Sequence, residues 1–239
     1  MPMGFPARFS PTTPTLAPMF VPGPESLERV ELNDPGQPLP PEVETLLATA
    51  DQCILDHLDR VGSPPSPGFL ACDHDVSWRA LHAIRDRELS PGPRFCEWGS
   101  GFGVVTLLAA GLGYEAHGIE IHPHLVQEAE ALADRLGLAT RYGVGNFVPP
   151  GTRLPPDVQA FTILSEEDTP DGHAALGRSM ADFDLIHVYI WPDEEEIVHR
   201  VFAQHSRPGA LLLTYHGEDW VELWRRLPDQ APSSSLRSP

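Results

Sequence analysis

Between Phe95 and Ile121 the chain reads FCEWGSGFGVVTLLAAGLGYEAHGIEI. Three glycines, Gly99, Gly101 and Gly103, alternate directly after a short apolar run. Glycines so placed remove side chains and admit positive φ, so a ligand can approach the backbone closely. Two carboxylates frame the turn. Glu97 stands two residues before the first glycine, and Glu120 closes the next apolar run, 21 residues after Gly99. A glycine-rich turn with an acid at that distance is the spacing that holds a nucleoside, the acid accepting the ribose hydroxyls.

The turn departs from the dinucleotide fingerprint. A GxGxxG fingerprint needs glycine at 104, where this chain has Val104. Glu97 weighs further against it, because a carboxylate beside a pyrophosphate is repelled. An NAD-dependent enzyme is therefore the third-ranked reading. The two acids suit a ligand with a cationic end, a ribose and no phosphate. S-adenosylmethionine, with its ammonium and sulfonium, is such a ligand.

FCEWGSGFG followed by HGIEI resembles the class I, Rossmann-like S-adenosylmethionine-dependent methyltransferase family, over about residues 94–216. That family opens with an acid and GxGxG, and ends its second strand on an acid. The resemblance implies that Glu97, Gly99, Gly101 and Gly103 line the methionine end of the cofactor and that Glu120 takes the ribose. It also implies that Asn146 and Phe147, in GVGNF, neighbour the adenine. FDLIHVYIWP matches the family's fourth strand, whose end faces the substrate, and RPGALLLTYHG its turn into the fifth.

Methyl transfer from a sulfonium needs an acceptor in line with the S–CH3 bond, in a site that excludes water. A general base helps where the acceptor carries a proton. Tyr189 and His216 are the candidates for catalysis, each at the end of an expected strand. Trp191, Tyr215 and Asp73 are the candidates for holding substrate, with Tyr189 and Trp191 as an aromatic wall for a flat or cationic acceptor. Asp73 reads equally as a helix N-cap, and His74 stands beside it. The tetrad Tyr-Ile-Trp-Pro replaces the [DN]PP[YFW] that members methylating amide or base nitrogens carry, so that chemistry is not supported. Asp193 reads as a helix start. His117, His122 and His124 lack partners for a tetrahedral set, so no metal site is expected.

These residues need an alternating scaffold. Residues 94–98, 115–121, 140–144, FDLIHVYI and ALLLTYH read as strands, and 104–112, Pro123–Leu136 and PDEEEIVHRVFAQH as helices. Pro123 suits a first helical turn and Gly137 a C′ position. Pro41 to about Val61 and a segment from Asp73 read as N-terminal helices. The expected fold is α/β, a Rossmann-like doubly wound, mostly parallel sheet. Family sheets usually have seven strands with a terminal hairpin. Here EDWVELWRRL reads as a last helix, so the sheet is expected either to stop at about five strands or to draw more from 149–181, where VQAFTIL has strand character. Residues 1–41, with 11 prolines, read as a disordered arm. Residues 42–228 read as one domain, with helices over 42–90, and 229–239 as a polar tail.

Composition bounds the partners. The chain has 239 residues and a net charge of −18, and all its basic residues are arginine. Without lysine there is no Schiff-base chemistry and no GxxxxGK[ST] loop. The acidity disfavours nucleic acid and anionic membranes and leaves a small molecule or a protein as methyl acceptor. The three cysteines, Cys53, Cys72 and Cys96, are widely spaced and fit reduced thiols in a cytoplasm. No apolar run is long enough to span a bilayer. The expected function is S-adenosylmethionine-dependent methyl transfer. The alternative is a protein that binds the cofactor as a regulator or scaffold without transferring the group.

Overall fold

The computed structural model describes residues 22–32, 36, 38–61, 73–154, 169–191, 194–217 and 220–229. Local sequence sets most element ends. Pro123 opens α4 (Pro123–Leu136), and Gly137 closes it in the left-handed region at φ 66°. Asp73 caps α2 (His74–Asp86), its carboxylate accepting from the backbone N–H of Asp75 and Val76. α1 (Pro41–Val61) begins on a proline, whose missing N–H costs nothing at a helix start.

Seven strands form one sheet. They are β1 (Leu27–Val30), β2 (Arg94–Trp98), β3 (Glu115–Glu120), β4 (Thr140–Val144), β5 (Leu185–Tyr189), β6 (Leu211–Tyr215) and β7 (Val221–Arg226), in the spatial order β1-β7-β6-β5-β2-β3-β4. β2 to β6 pair in parallel, and β7 runs antiparallel to both β6 and β1. The remaining helices are α3 (Val104–Gly111), α5 (Gly172–Ala175) and α6 (Glu195–His205). One face of the sheet buries Leu81, Ile84, Leu107, Leu125 and Leu132 from α2, α3 and α4. The other buries Ile197, Val201 and Phe202 of α6 with Met180 and Phe183. The expected doubly wound, mostly parallel fold is present.

The sheet does not stop at five strands. Within EDWVELWRRL, Val221–Arg226 is a strand, not a helix. Gly217, at φ 95°, turns the chain back, with His216 N–H donating to the Trp220 carbonyl at 3.0 Å. β7 then satisfies the open edge of β6, and this demand outweighs the helical spacing of its apolar residues. The seventh strand comes from the segment expected to be a disordered arm. β1 lies along β7, with Arg29–Glu222 and Glu28–Arg225 ion pairs across the ladder at 3.1 and 3.0 Å. Where the family closes its sheet with a terminal hairpin, this chain uses one strand from each end. The 149–181 stretch contributes α5 and a 3-10 turn at Met180–Asp182. VQAFTIL lies outside the described residues.

Candidate functional site

Parallel pairing brings the carboxyl ends of β2 to β6 to one edge, and the register decides which side chains meet there. Tyr189 pairs with Tyr215, Trp98 with both Val188 and Ile119, and Glu120 with Val144. Alternation then puts Tyr215, Tyr189 and Glu120 on the α2–α3 face, with Gly99 between Tyr189 and Glu120. The row beneath reads Leu213, His187, Glu97, Gly118 and Tyr142. An aromatic pair therefore stands on one side of a glycine gap and a carboxylate on the other, with a second carboxylate below.

The turn over this gap needs glycine at its three predicted positions. Gly99, Gly101 and Gly103 have φ of 68°, 53° and 73°, a region that costs other residues about 1–2 kcal/mol. A Cβ at Gly99 would meet nothing within 4 Å among the described residues. A Cβ at Gly103, the N-cap of α3, would lie 2.3 Å from the Tyr142 hydroxyl. The Tyr142 ring also crosses Gly118, where a Cβ would approach it to 2.7 Å. Gly118 is thus required in mid-strand, a demand that the sequence alone does not reveal.

Both carboxylates are buried, Glu97 at 6% exposure and Glu120 at 5%. Glu97 Oε2 accepts from the backbone N–H and the hydroxyl of Thr106 at 2.8 and 2.7 Å, which ties the end of β2 to the first turn of α3. Its Oε1 lies 3.7 Å from His187 Nδ1. Glu120 Oε2 accepts from the Gly101 N–H at 2.9 Å, and Oε1 takes the His122 N–H at 2.9 Å and contacts the His122 ring at 2.8 Å. Among the described residues, neither carboxylate pairs with an arginine.

On the aromatic side, the Tyr189 and Tyr215 rings are 5.3 Å apart and Tyr189 meets Trp191 edge-on at 6.0 Å. Trp191 is 38% exposed. The Tyr215 hydroxyl accepts from the Asp73 backbone N–H at 3.2 Å, pinning the start of α2 to the end of β6. The Asp73 carboxylate is engaged as the helix cap. His74 beside it has its pKa lowered, first by burial, with Glu97 opposing. His216 is on the opposite face, following the alternation of Thr214, whose hydroxyl it meets at 2.9 Å, and it stacks on Trp220. The structure therefore does not bring His216 to Tyr189, since one residue of register in a strand reverses the face.

Asn146 and Phe147 follow β4. Asn146 Oδ1 accepts from the Val148 N–H at 2.8 Å, and its backbone bridges to Asp171. The Phe147 ring stacks on Trp98 at 4.7 Å, within the α6-side core. Pro192 and Asp193 lie outside the described residues, as does Cys72. Among the described residues, no group of three or more His, Cys, Asp and Glu is disposed to hold a metal ion. No described helix is long and apolar enough to cross a membrane.

No protein-family model matches the chain. Over 83 residues it is 35% identical to ribosomal protein L11 methyltransferase of Thermus thermophilus, a match covering 35% of this chain and 32% of that protein. The chain thus spans about a third of the length of the curated relative it matches. Over those 83 residues the chain is similar to that methyltransferase. Similar solved structures include an RNA methyltransferase of Salinibacter ruber in complex with S-adenosyl-L-homocysteine, with TM-score 0.43 and 16% identity over 71% of this chain and 97% of that one. A methyltransferase of Geobacter sulfurreducens aligns with TM-score 0.46 and 13% identity, over 81% and 94% of the two chains.

The glycine turn fits S-adenosylmethionine by its own chemistry. Two buried negative charges without arginine partners favour a cation and repel phosphate. The open backbone at Gly99 admits close approach of a ligand. An ionised carboxylate offers about four accepting positions, and three contacts fall on Glu120. The ring of His122, whose side chain is 39% exposed, is the one of them that solvent reaches.

Sequence reasoning missed three residues of this site. His187 is buried with neither ring nitrogen bonded among the described residues. Tyr142 is the ring that demands two glycines. His57 of α1 meets Glu128 of α4 at 3.0 Å and packs edge-on against Phe102 in the turn at 5.2 Å. Each depends on strand register or helix packing, and none carries a local motif.

Proposed function

We propose that this chain binds S-adenosylmethionine and transfers its methyl group to a small-molecule or protein acceptor. The observation that carries this reading is the pair of buried carboxylates, Glu97 and Glu120, flanking the glycine turn without an arginine partner. Bound there, S-adenosylmethionine supplies an electrophilic methyl on a sulfonium. Glu120 accepts the ribose hydroxyls, one of them taking the position of the His122 ring. The charge of Glu97 attracts the cationic methionine end, and Gly99, Gly101 and Gly103 give that end access to backbone. Asn146 borders the adenine, while the Phe147 ring is taken up by Trp98 on the other face.

Transfer requires orientation and exclusion of water more than covalent help. Tyr189, with Tyr215 and Trp191, presents an aromatic wall across the glycine gap from Glu120. Its rings orient a flat or cationic acceptor, and the Tyr189 hydroxyl is its candidate group for an acceptor proton. Asp73 fixes the rim by capping α2. The position of His216 on the other face supports Tyr189 over His216 in the transfer step. The absence of lysine and the charge of −18 support a neutral or cationic acceptor over a nucleic acid. The few, separated cysteines support a cytoplasmic setting. Residues 42–228 form the domain, extended by β1.

The test is transfer of a radiolabelled methyl group from S-adenosylmethionine, screened against small cationic and aromatic acceptors and basic proteins. Label transfer to one class, falling about tenfold or more in Tyr189→Ala, is the expected result. Tight cofactor binding with no transfer to any acceptor would favour a regulator or scaffold instead.

A further inference from the structure

His74 opens α2, and the residue before it, Asp73, is pinned to the end of β6 by the Tyr215 hydroxyl at 3.2 Å. His74 stands three, four and seven residues before Ser77, Trp78 and Leu81, all buried. That spacing puts its side chain on the sheet-facing stripe of the helix. The pin at Tyr215 brings this end of the stripe to the carboxyl edge of the sheet. Two neighbours then locate the ring across the sheet. It lies in the field of Glu97 on β2 and of His187 on β5, residues that stand side by side in the register. The imidazole is therefore above the β5–β2 boundary. Tyr189 follows His187 by two residues on the same face, and Gly99 follows Glu97 by two. The aromatic wall and the glycine gap meet at this point.

His74 is half-buried, and among the described residues no hydrogen bond holds its ring. The titratable groups around it are Asp51 from α1, Asp73 beside it on α2, Glu97 from β2 and His187 from β5, with the Tyr189 and Tyr215 hydroxyls on the wall. Burial holds its pKa below the ordinary histidine value, with Glu97, Asp51 and Asp73 opposing. A neutral imidazole has one nitrogen lone pair to offer to a proton.

We infer that His74 is the catalytic base of the transfer and that the acceptor it serves is an aromatic hydroxyl compound, a phenol. This rests on the S-adenosylmethionine reading of the site. The wall of Tyr189, Trp191 and Tyr215 takes a flat ring, and a base at its junction with the glycine gap serves an attacking atom that carries a proton. A phenol has both features in one molecule. The Tyr189 hydroxyl orients the acceptor O–H, but an un-ionised phenol side chain is a weak base, so His74 takes the proton. In the step, the O–H proton passes to the His74 ring nitrogen and an oxygen electron pair forms the bond to the methyl carbon. The carbon–sulfur bond breaks, and its electron pair stays on sulfur. The positive charge moves from the sulfonium to the imidazolium, which returns its proton to water.

Three measurements test this. Calorimetry with S-adenosylmethionine comes first, in the parent protein and in His74→Gln. Binding within about threefold in the two shows that the variant is folded and its cofactor site intact. His74→Ala is the second variant, and added imidazole is expected to restore part of its rate. The next measurement does not depend on turnover. 4-Nitrophenol, whose ionised form absorbs apart from its neutral form, is titrated into the protein with S-adenosyl-L-homocysteine, which has no methyl to give. At one pH near neutrality the bound probe is expected to be more ionised than the free probe in the parent, and not in His74→Gln. The third is label transfer to a panel of phenols and anilines. Transfer to phenols is expected, with kcat about a hundredfold lower in His74→Gln and KM within about threefold. The parent rate should be full above the midpoint of His74 and fall below it, and this limb should be missing from the variant. Equal kcat or equal probe ionisation in parent and variant overturns the base. Transfer to anilines alone, or no phenol bound by a protein that binds S-adenosylmethionine, overturns the acceptor class and leaves the cofactor assignment standing. No S-adenosylmethionine binding in the parent overturns that assignment and this inference with it.

Discussion

Glu120→Ala is expected to weaken S-adenosylmethionine binding by about a hundredfold. A hydrogen bond to a charged acceptor contributes about 1.5–3 kcal/mol. Two ribose hydroxyls on one buried carboxylate, less the donors they displace, leave about 3 kcal/mol, which is a hundredfold in Kd. The same carboxylate holds the Gly101 N–H and the His122 N–H. The variant therefore also loses stability, by about 1–3 kcal/mol, and a thermal melt must confirm that it is folded at the titration temperature. Glu120→Gln separates the charge from the shape. Its single oxygen can accept from Gly101 or from His122 but not both, so it should lose about 1–3 kcal/mol of stability while affinity falls about tenfold. A folded Glu120→Ala protein that binds within about threefold of the parent would show that Glu120 does not take the ribose.

The second large effect divides the glycine turn by function. Gly103→Ala is expected to lose about 2–4 kcal/mol of stability. The left-handed backbone at φ 73° accounts for about 1–2 kcal/mol of this. Crowding against Tyr142, whose hydroxyl would be 2.3 Å from the new Cβ, accounts for the rest. For a domain of this size the melting point should fall by about 10 °C. Gly99→Ala has nearly the same φ and meets no atom within 4 Å. It should lose only the backbone share, about 1–2 kcal/mol, while its methyl occupies the gap through which the ligand approaches. Binding is then lost in a folded protein. Rescue of Gly103→Ala by Tyr142→Ala would locate the clash, because it removes the hydroxyl and the ring carbons at 2.8 and 2.9 Å that phenylalanine would keep. Equal losses of stability at Gly99 and Gly103, measured by denaturant titration, would show that the Tyr142 contact carries no energy.

The turn was legible because its constraints are local. Three positive-φ positions require glycine whatever surrounds them, and an acid two residues earlier meets the first turn of the next helix through short-range geometry. The five parallel strands and their helices were legible for the same reason, through periodicity and through Pro123, Gly137 and Asp73 at helix ends. Other features rest on contacts distant in sequence. LERV is four residues long and carries no period until it lies along β7. EDWVELWRRL has apolar residues that satisfy a helix as well as a strand, and the open edge of β6 decides between them. The His187–Glu97 pair exists only because β5 lies beside β2 in one particular register. His216 was misplaced for a related reason. A strand end identifies the edge of the sheet, and one residue of alternation determines the face.

The most direct measurement is calorimetric titration of the protein with S-adenosylmethionine and, separately, with NAD. Two buried acids without arginine partners should admit the cationic ligand and refuse the pyrophosphate. Binding of S-adenosylmethionine at micromolar Kd, with no heat from NAD, is the expected result. A folded protein that does not bind S-adenosylmethionine, or that binds NAD in its place, would contradict the assignment and reduce the glycine turn to a structural element.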